Sequence, residues 1–515
     1  MTGWTLVYAK QASKRHELEA KVVRSKTPAA PGLWLFVICL LAFSAAPLIA
    51  QLPGQSPSPA ASTDQYSSTA QQTTFQTPAL GVFSGSARID KVTPEVLKIS
   101  ILDAIDRGIR HNLGLLVSQE QTQSARAQYR RSLSALLPNV SGRATDSIQQ
   151  INLAAFGIPL PAGLTSPVVG PFNVLDARAA FSQTVVDFNA LNRLRQSAEN
   201  EKAAKFTMAD ARELVVLVVG NQYLQTQAAA SRLQTSKTQL QTAQTIFKQT
   251  QDQKNAGVAA GIDVLRAQVQ MQTQQQRVLS AQNQYEQQKM AMARIIGLPV
   301  AQQYELSDQV PYSSSPPIDV ESGLKQAYQQ RPEYLAAESR NHALELAVKA
   351  AKGELLPSLQ LNGDYGVLGK NISSLENTYT VAAGVRIPIF QGGRARADVA
   401  QAESDLRQSR LQLEDLHNRI EVDVRSALLD VNTSAEQVSV AQSSIGLAAE
   451  QLKQSQDRFA AGVAGTLDVV QAQEAVATAN ESYIQALYLN NVAKLTLARA
   501  LGVAEQRTRA FLGGK

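Results

Sequence analysis

The sequence contains little cysteine and few aromatic residues. Its single cysteine, Cys39, lies within an apolar run, and cleavage after that run leaves a chain without cysteine, which excludes disulfides and thiolate chemistry. Aromatic residues make up 5% of the 515 positions, too few to anchor a large compact core. Alanine, glutamine, leucine, valine and serine dominate instead. This composition favours a helix-rich protein.

Common enzyme motifs are also missing. The sequence has no Walker loop, no G-x-G-x-x-G and no G-x-S-x-G. Its four histidines are scattered and lack the spacing of metal ligands, at His16, His111, His342 and His417. We therefore expect no catalytic residue, no cofactor and no metal site, and we expect the protein not to be an enzyme.

The positive charge is concentrated at the N-terminus. Residues 1–50 hold six Lys/Arg and two Glu, so the remainder has 43 basic and 41 acidic residues, a net charge of +2. A nearly neutral chain argues against a nucleic-acid partner. The same N-terminal region has the order of a secretory signal: a basic stretch ending at Lys26, an apolar run over 33–50, and small residues at Ala46 and Ala50.

We predict a signal peptide over 1–50, the alternative being an uncleaved membrane anchor. A Ser/Gln/Pro-rich tract follows, and its composition predicts a disordered linker over 51–92. Thr93-Pro94-Glu95 has the pattern of a helix start, with Thr93 as cap. No later stretch is apolar enough for a transmembrane helix.

Very long helices are indicated instead. The stretch 394–460 has no proline and only one internal glycine, Gly446, and its apolar positions recur at an average of 3.6 residues. A helix of some 65 residues spans about 100 Å. The stretch 190–255 is similar. Such lengths favour an extended helical bundle or coiled coil.

The chain repeats itself. Residues 248–268 and 453–473 share 12 of 21 positions at a constant offset of 205. Leu136-Leu137-Pro138 and Leu355-Leu356-Pro357 form a second pair. We predict a first repeat over 93–300 (hairpin about 139–186, tip about 255–263), a second over 301–505 (hairpin about 357–390, tip about 460–468) and a tail over 506–515.

Each repeat contains a segment patterned as a strand pair. Apolar and polar residues alternate over about ten residues after Pro357 and again from Tyr379 to Ile389, the length of a membrane-spanning strand. The alternation is weaker in the first hairpin. Four strands cannot close a barrel, and lipid does not tolerate an open edge. If the strands span a membrane, several copies must share one barrel; the alternative is two soluble hairpins that cap a helical bundle.

Together these features resemble the TolC-type outer-membrane efflux proteins. The residues that carry the resemblance are the two Ala-Gly-Val turns with their following Asp-Val pairs, the two Leu-Leu-Pro segments, and Ile387-Pro388-Ile389-Phe390-Gln391-Gly392-Gly393. No single motif is specific, but their order, spacing and duplication are specific together over about residues 95–505.

The resemblance implies a mainly α-helical protein with a small transmembrane β part. Three protomers would share a 12-stranded β-barrel in the outer membrane of a Gram-negative bacterium, and their helices would continue as an α-helical barrel through the periplasm. Its partners would be two further copies, outer-membrane lipid, a periplasmic membrane-fusion adaptor and an inner-membrane pump of RND or ABC type. The function implied is a passive exit duct for small molecules in a tripartite efflux system. Alternatives are an exit duct for type I protein secretion and a soluble periplasmic coiled-coil scaffold.

The resemblance also assigns candidate site residues. Gly257, Val258, Gly462 and Val463 correspond to the periplasmic tips that dock the adaptor, and Asp263 and Asp468 to the entrance constriction. Pro388, Phe390, Gly392 and Gly393 correspond to the exit from strand to helix. Capping of the returning helices is an equally good role for the two aspartates.

The second tip departs from the family pattern. Well-known members carry an arginine just after the tip glycine and a further aspartate one turn beyond the tip aspartate, whereas this sequence has Ala464 and Gln471 there. We therefore hypothesise a less acidic, less cation-selective mouth without the familiar electrostatic latch. Strong block by polyvalent cations in single-channel recordings would contradict this hypothesis.

Overall fold

The computed structural model describes residues 81–87, 91–157, 166–308 and 318–512. The predicted signal peptide over 1–50, with Cys39, lies outside the described residues, as do residues 51–80 of the predicted linker. Residues 81–87, the next part of that predicted linker, contact the first helices: Asn112 Nδ2 donates a hydrogen bond to the carbonyl oxygen of Phe83 at 2.5 Å.

Helices make up most of the fold. They are α1 (Ile101–His111), α2 (Leu113–Ser134), α3 (Phe188–Asn255), α4 (Gly261–Ile295), α5 (Val320–Gln330), α6 (Pro332–Gly353), α7 (Arg394–Ala460), α8 (Thr466–Ala500) and α9 (Ala504–Leu512). The strands are β1 (Leu97–Ile99), β2 (Asn139–Asn152), β3 (Val168–Val186), β4 (Tyr304–Leu306), β5 (Ser358–Gly369) and β6 (Glu376–Arg386).

The same order of elements occurs twice along the chain. Two helices, two strands, one long helix and one returning helix run from α1 to α4 and again from α5 to α8. The prediction of a mainly helical fold with two very long helices is confirmed, since α3 has 68 residues and α7 has 67. Neither contains proline, and the single internal glycine of α7 does not interrupt it.

The predicted helix start at Thr93 is wrong. Residues 97–99 form β1, which pairs in parallel with β4, and the Thr93 backbone N–H donates to Gln302 Oε1 at 2.7 Å. Helix α1 begins after Ser100 instead. The Ser100 hydroxyl accepts from the Asp103 N–H at 3.1 Å, and the Asp103 carboxylate accepts from the Ser100 N–H at 3.1 Å, a reciprocal capping box.

The main apolar core lies midway along the long helices. It combines residues of α3, α4, α7 and α8 with the short elements α1, α5, α9, β1 and β4. Val216 of α3, Ile420 of α7 and Leu495 of α8 are fully buried there. Tyr223 is also fully buried, and its hydroxyl donates to the carbonyl oxygen of Ile99 at 3.2 Å, which satisfies its polar end.

The helices lie side by side in a different order on the two sides of this core. On the strand side α3 packs between α2 and α6, and α6 packs on α7. On the other side α3 packs against α4 and α8, and α8 packs on α7. Helices α2, α4 and α7 are therefore the edge helices. Among helices in the described ranges, none is both long and apolar enough to cross a membrane.

The four long strands form one antiparallel sheet in the order β2-β3-β5-β6. Strands β2 and β6 are its two edges and have no second strand partner in the part of the chain that the structure describes. The last pair between β3 and β5 joins Leu175 to Gly369, whereas β2 and β3 stay paired as far as Asn152 and Val168. The first hairpin thus extends several residues beyond the second.

Candidate functional site

One face of the four-stranded sheet is apolar and exposed. The register places Val140, Phe181, Gly363 and Val381 in one row across all four strands. In the next row Tyr365 of β5 lies directly opposite Tyr379 of β6. The same face continues with Ala144, Ala177, Val367, Leu361, Ala383, Leu359 and Val385. Because side chains alternate along a strand, these residues all lie on one side.

The opposite face is polar. It carries Ser141, Arg143, Thr145, Asp176, Arg178, Ser182, Asn362, Asp364, Thr378 and Thr380. Arg178 donates to Asp176 on its own strand at 2.7 Å and to Asp364 on β5 at 3.0 Å. These charge-assisted bonds tie β3 to β5 on the polar side. The sheet therefore separates an apolar surface from a hydrophilic one.

The apolar face has a defined height. The alternation continues past β6 through Ile387 and Ile389, which are exposed. The ten steps from Tyr379 to Ile389 cover ~33 Å of extended chain, or about 25 Å when strands tilt by roughly 40°. Tyr365 and Tyr379 lie near one end, and the exposed Phe188 and Phe390 lie at the other. Aromatic residues at both ends of such a band are typical of membrane-spanning sheets.

The predicted strand exit is a turn with two left-handed glycines. Gly392 has φ 61° and Gly393, the cap of α7, has φ 86°. Residues with a side chain are strained in this region, which explains the two successive glycines. Pro388 is half-buried and Phe390 is exposed, and Arg394 forms an ion pair with Glu354 at the end of α6.

The two predicted tips have the same backbone geometry. After α3, Gly257 has φ 78°, its N–H donates to the Lys254 carbonyl, and the Val258 N–H donates to the Gln253 carbonyl. After α7, Gly462 has φ 74° and donates to the Phe459 carbonyl, and the Val463 N–H donates to the Arg458 carbonyl. Both are Schellman motifs, which end a helix on a glycine. Val258 and Val463 are exposed.

The tip aspartates differ in their contacts. Asp263 lies in the first turn of α4 and forms an ion pair with Arg266 at 3.5 Å. Asp468 lies in the first turn of α8, and its carboxylate accepts from the Gly465 N–H at 3.3 Å. Both carboxylates lie at the positive end of a helix dipole, and Asp263 also pairs with the guanidinium of Arg266.

A polar contact between the two halves of the chain was not predicted from the sequence. The Glu474 carboxylate of α8 accepts from Gln270 at 2.9 Å, from Gln274 at 3.3 Å and from Arg277 at 3.0 Å and 3.2 Å, all on α4. Nearby, Arg232 of α3 donates to Glu481 at 2.9 Å. Arg232, Arg277, Glu474 and Glu481 border a cleft of about 470 Å³ between α3, α4 and α8. The partners are some 200 residues apart, so no local pattern indicates them.

Burial of Glu474 raises the pKa of its carboxyl, but the hydrogen bonds from Gln270 and Arg277 outweigh burial and leave the pKa lowered.

Glu213 of α3, also not predicted, is buried and caps α9 by accepting from the N–H groups of Ala504 at 2.6 Å and Glu505 at 3.2 Å. Much of the predicted tail over 506–515 is thus part of helix α9.

Two edge helices carry exposed apolar stripes. On α7 the stripe consists of Leu411, Val422, Leu429, Val440 and Leu447. Their spacings of 11, 7, 11 and 7 residues are close to whole helical turns, so they lie on one side, opposite the buried face with Ile420 and Val424. On α4 the exposed residues are Ile262, Leu265, Val269, Leu279 and Met290. Single exposed apolar residues are common, but their alignment along one side of each edge helix marks a candidate contact surface.

Comparison with known proteins gives one matching family. The model of the family described as "Outer membrane efflux protein" matches residues 104–298 and 323–503. Outer membrane protein OprJ of Pseudomonas aeruginosa is 25% identical over 411 residues, which cover 77% of this chain and 83% of that protein. Cation efflux system protein CusC of Escherichia coli is 23% identical, with 77% and 85% covered.

Solved structures show the same fold. The CmeC outer membrane channel of Campylobacter jejuni superposes with a TM-score of 0.68 at 18% identity, covering 82% of this chain and 92% of that chain. The MtrE outer membrane channel of Neisseria gonorrhoeae, in its open state, has a TM-score of 0.67 at 18% identity, with 82% and 96% covered.

Proposed function

Because this chain belongs to the outer membrane efflux protein family, we propose that three copies of it close a 12-stranded β-barrel and a continuous helical conduit. The chain is an outer-membrane efflux channel protein, with its helical part in the periplasm. Each copy would contribute β2, β3, β5 and β6 to the barrel. The observation that carries this proposal is the four-stranded sheet with one apolar face, one polar face and two unpaired edges.

The strand directions support closure by identical copies. Strand β2 runs away from the helices and β6 runs back towards them, and every neighbouring pair in the sheet is antiparallel. The β6 edge of one copy can therefore pair antiparallel with the β2 edge of the next, which removes all edges from the lipid. The apolar face with Val381 and Phe181 would contact lipid, and the polar face with Arg178 would line the lumen.

The helical edges support the same arrangement. The exposed stripe on α7 lies at one edge of each copy and the exposed stripe on α4 at the other. A head-to-tail contact between them uses two different surfaces and forms a ring when the rotation from copy to copy closes after three copies. Such a contact would bury apolar residues that are exposed in the single chain, including Leu429 and Val269.

We propose that other proteins supply the energy for transport and select the molecules that are exported. The conduit is a passive exit duct for small molecules, supplied by an inner-membrane pump of RND or ABC type through a periplasmic adaptor. The exposed Val258 and Val463, each held by a rigid Schellman turn, offer a pair of matching apolar contacts for that adaptor. Asp263 and Asp468 would lie at the entrance between these tips.

Reconstitution of the mature protein tests the proposal. Purified in detergent, it should have the mass of three chains by native mass spectrometry, should float with liposomes, and should give discrete conductance steps in planar bilayers. Circular dichroism should show a small sheet signal beside the helices. A monomer that stays in the aqueous phase after osmotic shock would instead support the soluble periplasmic scaffold.

A further inference from the structure

Unpaired basic side chains collect where the helices meet the four-stranded sheet. Arg126 and Arg130 lie near the end of α2 and Lys349 near the end of α6, while Arg193, Arg195 and Arg396 lie at the starts of α3 and α7. We call these six residues the basic collar. All six are exposed, and none forms an ion pair with another residue that the structure describes.

Acidic residues in the same turns are few, and apart from Asp398 they already have partners. The last nine residues of α2 and the first nine of α3 contain no Asp or Glu. Glu354 is paired with Arg394, and Glu403 with Lys352. Asp187 caps α3 by accepting from the N–H groups of Asn189 and Ala190. The collar therefore carries a positive charge that the chain itself does not neutralise.

One member of the collar lies where helix electrostatics disfavour it. The N-terminus of a helix carries a partial positive charge and favours acidic side chains. Helix α7 nevertheless has no acidic residue in its first turn, and Arg396 is its third residue. Departures from a local rule that bring no gain within the fold are expected at functional surfaces.

Both halves of the chain have a basic residue at the same distance before the first strand of the hairpin. Arg130 lies eight residues before Pro138, and Lys349 lies eight residues before Pro357, just ahead of the corresponding strands β2 and β5. Arg195 also lies on the same side of α3 as the exposed Phe188, since seven residues make nearly two turns. The charges thus follow directly on apolar residues at the end of the band.

We propose that the basic collar binds the phosphate groups of anionic phospholipids in the membrane leaflet next to the helices. The inference rests on the proposed function, which sets the apolar face of the sheet in the bilayer. The collar residues then lie about 3–12 Å along their helices from the helix ends next to the sheet. The side chains on the lipid-facing side of these helices, such as Arg195, reach the headgroup region, where an anionic surface attracts each Lys or Arg.

Arginine suits this role for a chemical reason. Its planar guanidinium donates two parallel hydrogen bonds to phosphate oxygens, and it is held less tightly by water than an ammonium group. Five of the six collar residues are arginine. The long apolar stem of Arg195 can pack on Phe188 while its charged end reaches the headgroups.

Native mass spectrometry of the detergent-purified assembly tests the proposal. The protein is equilibrated with equal amounts of phosphatidylglycerol and phosphatidylethanolamine carrying the same acyl chains. We expect retained phosphatidylglycerol to exceed phosphatidylethanolamine. The combined change Arg130→Gln, Arg195→Gln, Lys349→Gln and Arg396→Gln should lower that preference by about tenfold or more. Higher salt should weaken it in the wild type.

A matched control removes the same charge far from the sheet. Lys237→Gln, Lys248→Gln, Lys254→Gln and Lys453→Gln change four exposed residues near the tips, and this variant should keep the wild-type preference. Equal retention of both lipids by the wild type, or an unchanged preference in the collar variant, would overturn the proposal. So would equal competition by soluble glycerol phosphate, which would assign the collar to free phosphate.

Flotation separates this inference from the proposed function. Wild-type protein that floats with liposomes but shows no lipid preference overturns only the role of the collar. Protein that neither floats nor conducts overturns the proposed function, and the collar proposal with it. Arg386→Gln serves as a local control, because Arg386 lies at the same end of the sheet but on its polar face and should not change the preference.

Discussion

At the scale of single residues, Glu474 is the side chain on which the contact between α4 and α8 depends. We predict that Glu474→Gln lowers the stability of this contact by about 1 kcal/mol or less, because it removes the carboxylate charge that pairs with Arg277. The loss is small because the pair is partly exposed and screened by water. Hydrogen exchange of α4 residues near Gln270 should become faster. Glu436→Gln, an exposed change on α7, should leave exchange there unchanged.

The same residue predicts a pH dependence with a definite sign. The lowered pKa means that the folded state favours the charged carboxylate. Its stabilising contribution is present above the pKa of an ordinary glutamate, roughly 4.3, and is lost as the pH falls through the lower folded pKa. The difference in thermal stability between wild type and Glu474→Gln should be full at pH 7 and shrink below about pH 4. A constant difference across this range would contradict the assignment.

At the scale of elements, two glycines of the second half predict opposite effects of the same substitution. Gly446 lies inside α7, with no atom within 4 Å of where a Cβ would be placed. Gly446→Ala should therefore stabilise the helix by about 0.5–1 kcal/mol. Gly462 has the same free space but φ 74°, so Gly462→Ala should destabilise the tip by about 1–2 kcal/mol. Thermal unfolding of both variants measures the difference.

Gly257→Ala tests the same effect at the first tip. Gly257 has φ 78° and also has open space around it, so it should behave like Gly462 and not like Gly446. If both tip variants were as stable as wild type, the left-handed turns would not be what ends α3 and α7. Conductance of the tip variants further shows whether the turn geometry matters for opening.

At the scale of the whole molecule, the stripe on α7 predicts how copies associate. Leu429 and Val440 are 66% and 67% exposed in the single chain, so Leu429→Asp with Val440→Asp should leave the fold of each copy intact. In the assembly the two charges would be buried against apolar residues, which should weaken association at least tenfold, roughly 1.4 kcal/mol or more. Native mass spectrometry should then find mostly single chains.

Ser439→Asp provides the control for that change. Ser439 is exposed on α7 but about a quarter of a turn away from the stripe, so it adds a charge without placing it in the contact. Trimers that persist in the double variant would exclude the stripe from the interface. Loss of trimers in the Ser439 variant would show that any charge on α7 disrupts assembly.

How much the sequence predicts differs between elements. The absence of proline and the 3.6-residue period predict α7 with its observed bounds, because these signals describe the backbone locally. The alternation after Pro357 similarly predicts β5 and β6. The first hairpin is harder to predict: β3 runs for 19 residues and carries Asp176 and Arg178 near its middle. The ion pair between Arg178 and Asp364 becomes visible only once β3 lies beside β5.

By itself, the sequence determined the long helices, the strand pairs, the glycine turns and the family. These follow from backbone conformations and periodicities encoded within a few consecutive turns. Only the tertiary structure decided that the Glu474 carboxylate accepts hydrogen bonds from three side chains of α4, that Glu213 caps α9, and that the apolar stripes lie on edge helices. Such contacts join residues far apart in the chain, so they depend on how the elements pack, which no local pattern specifies.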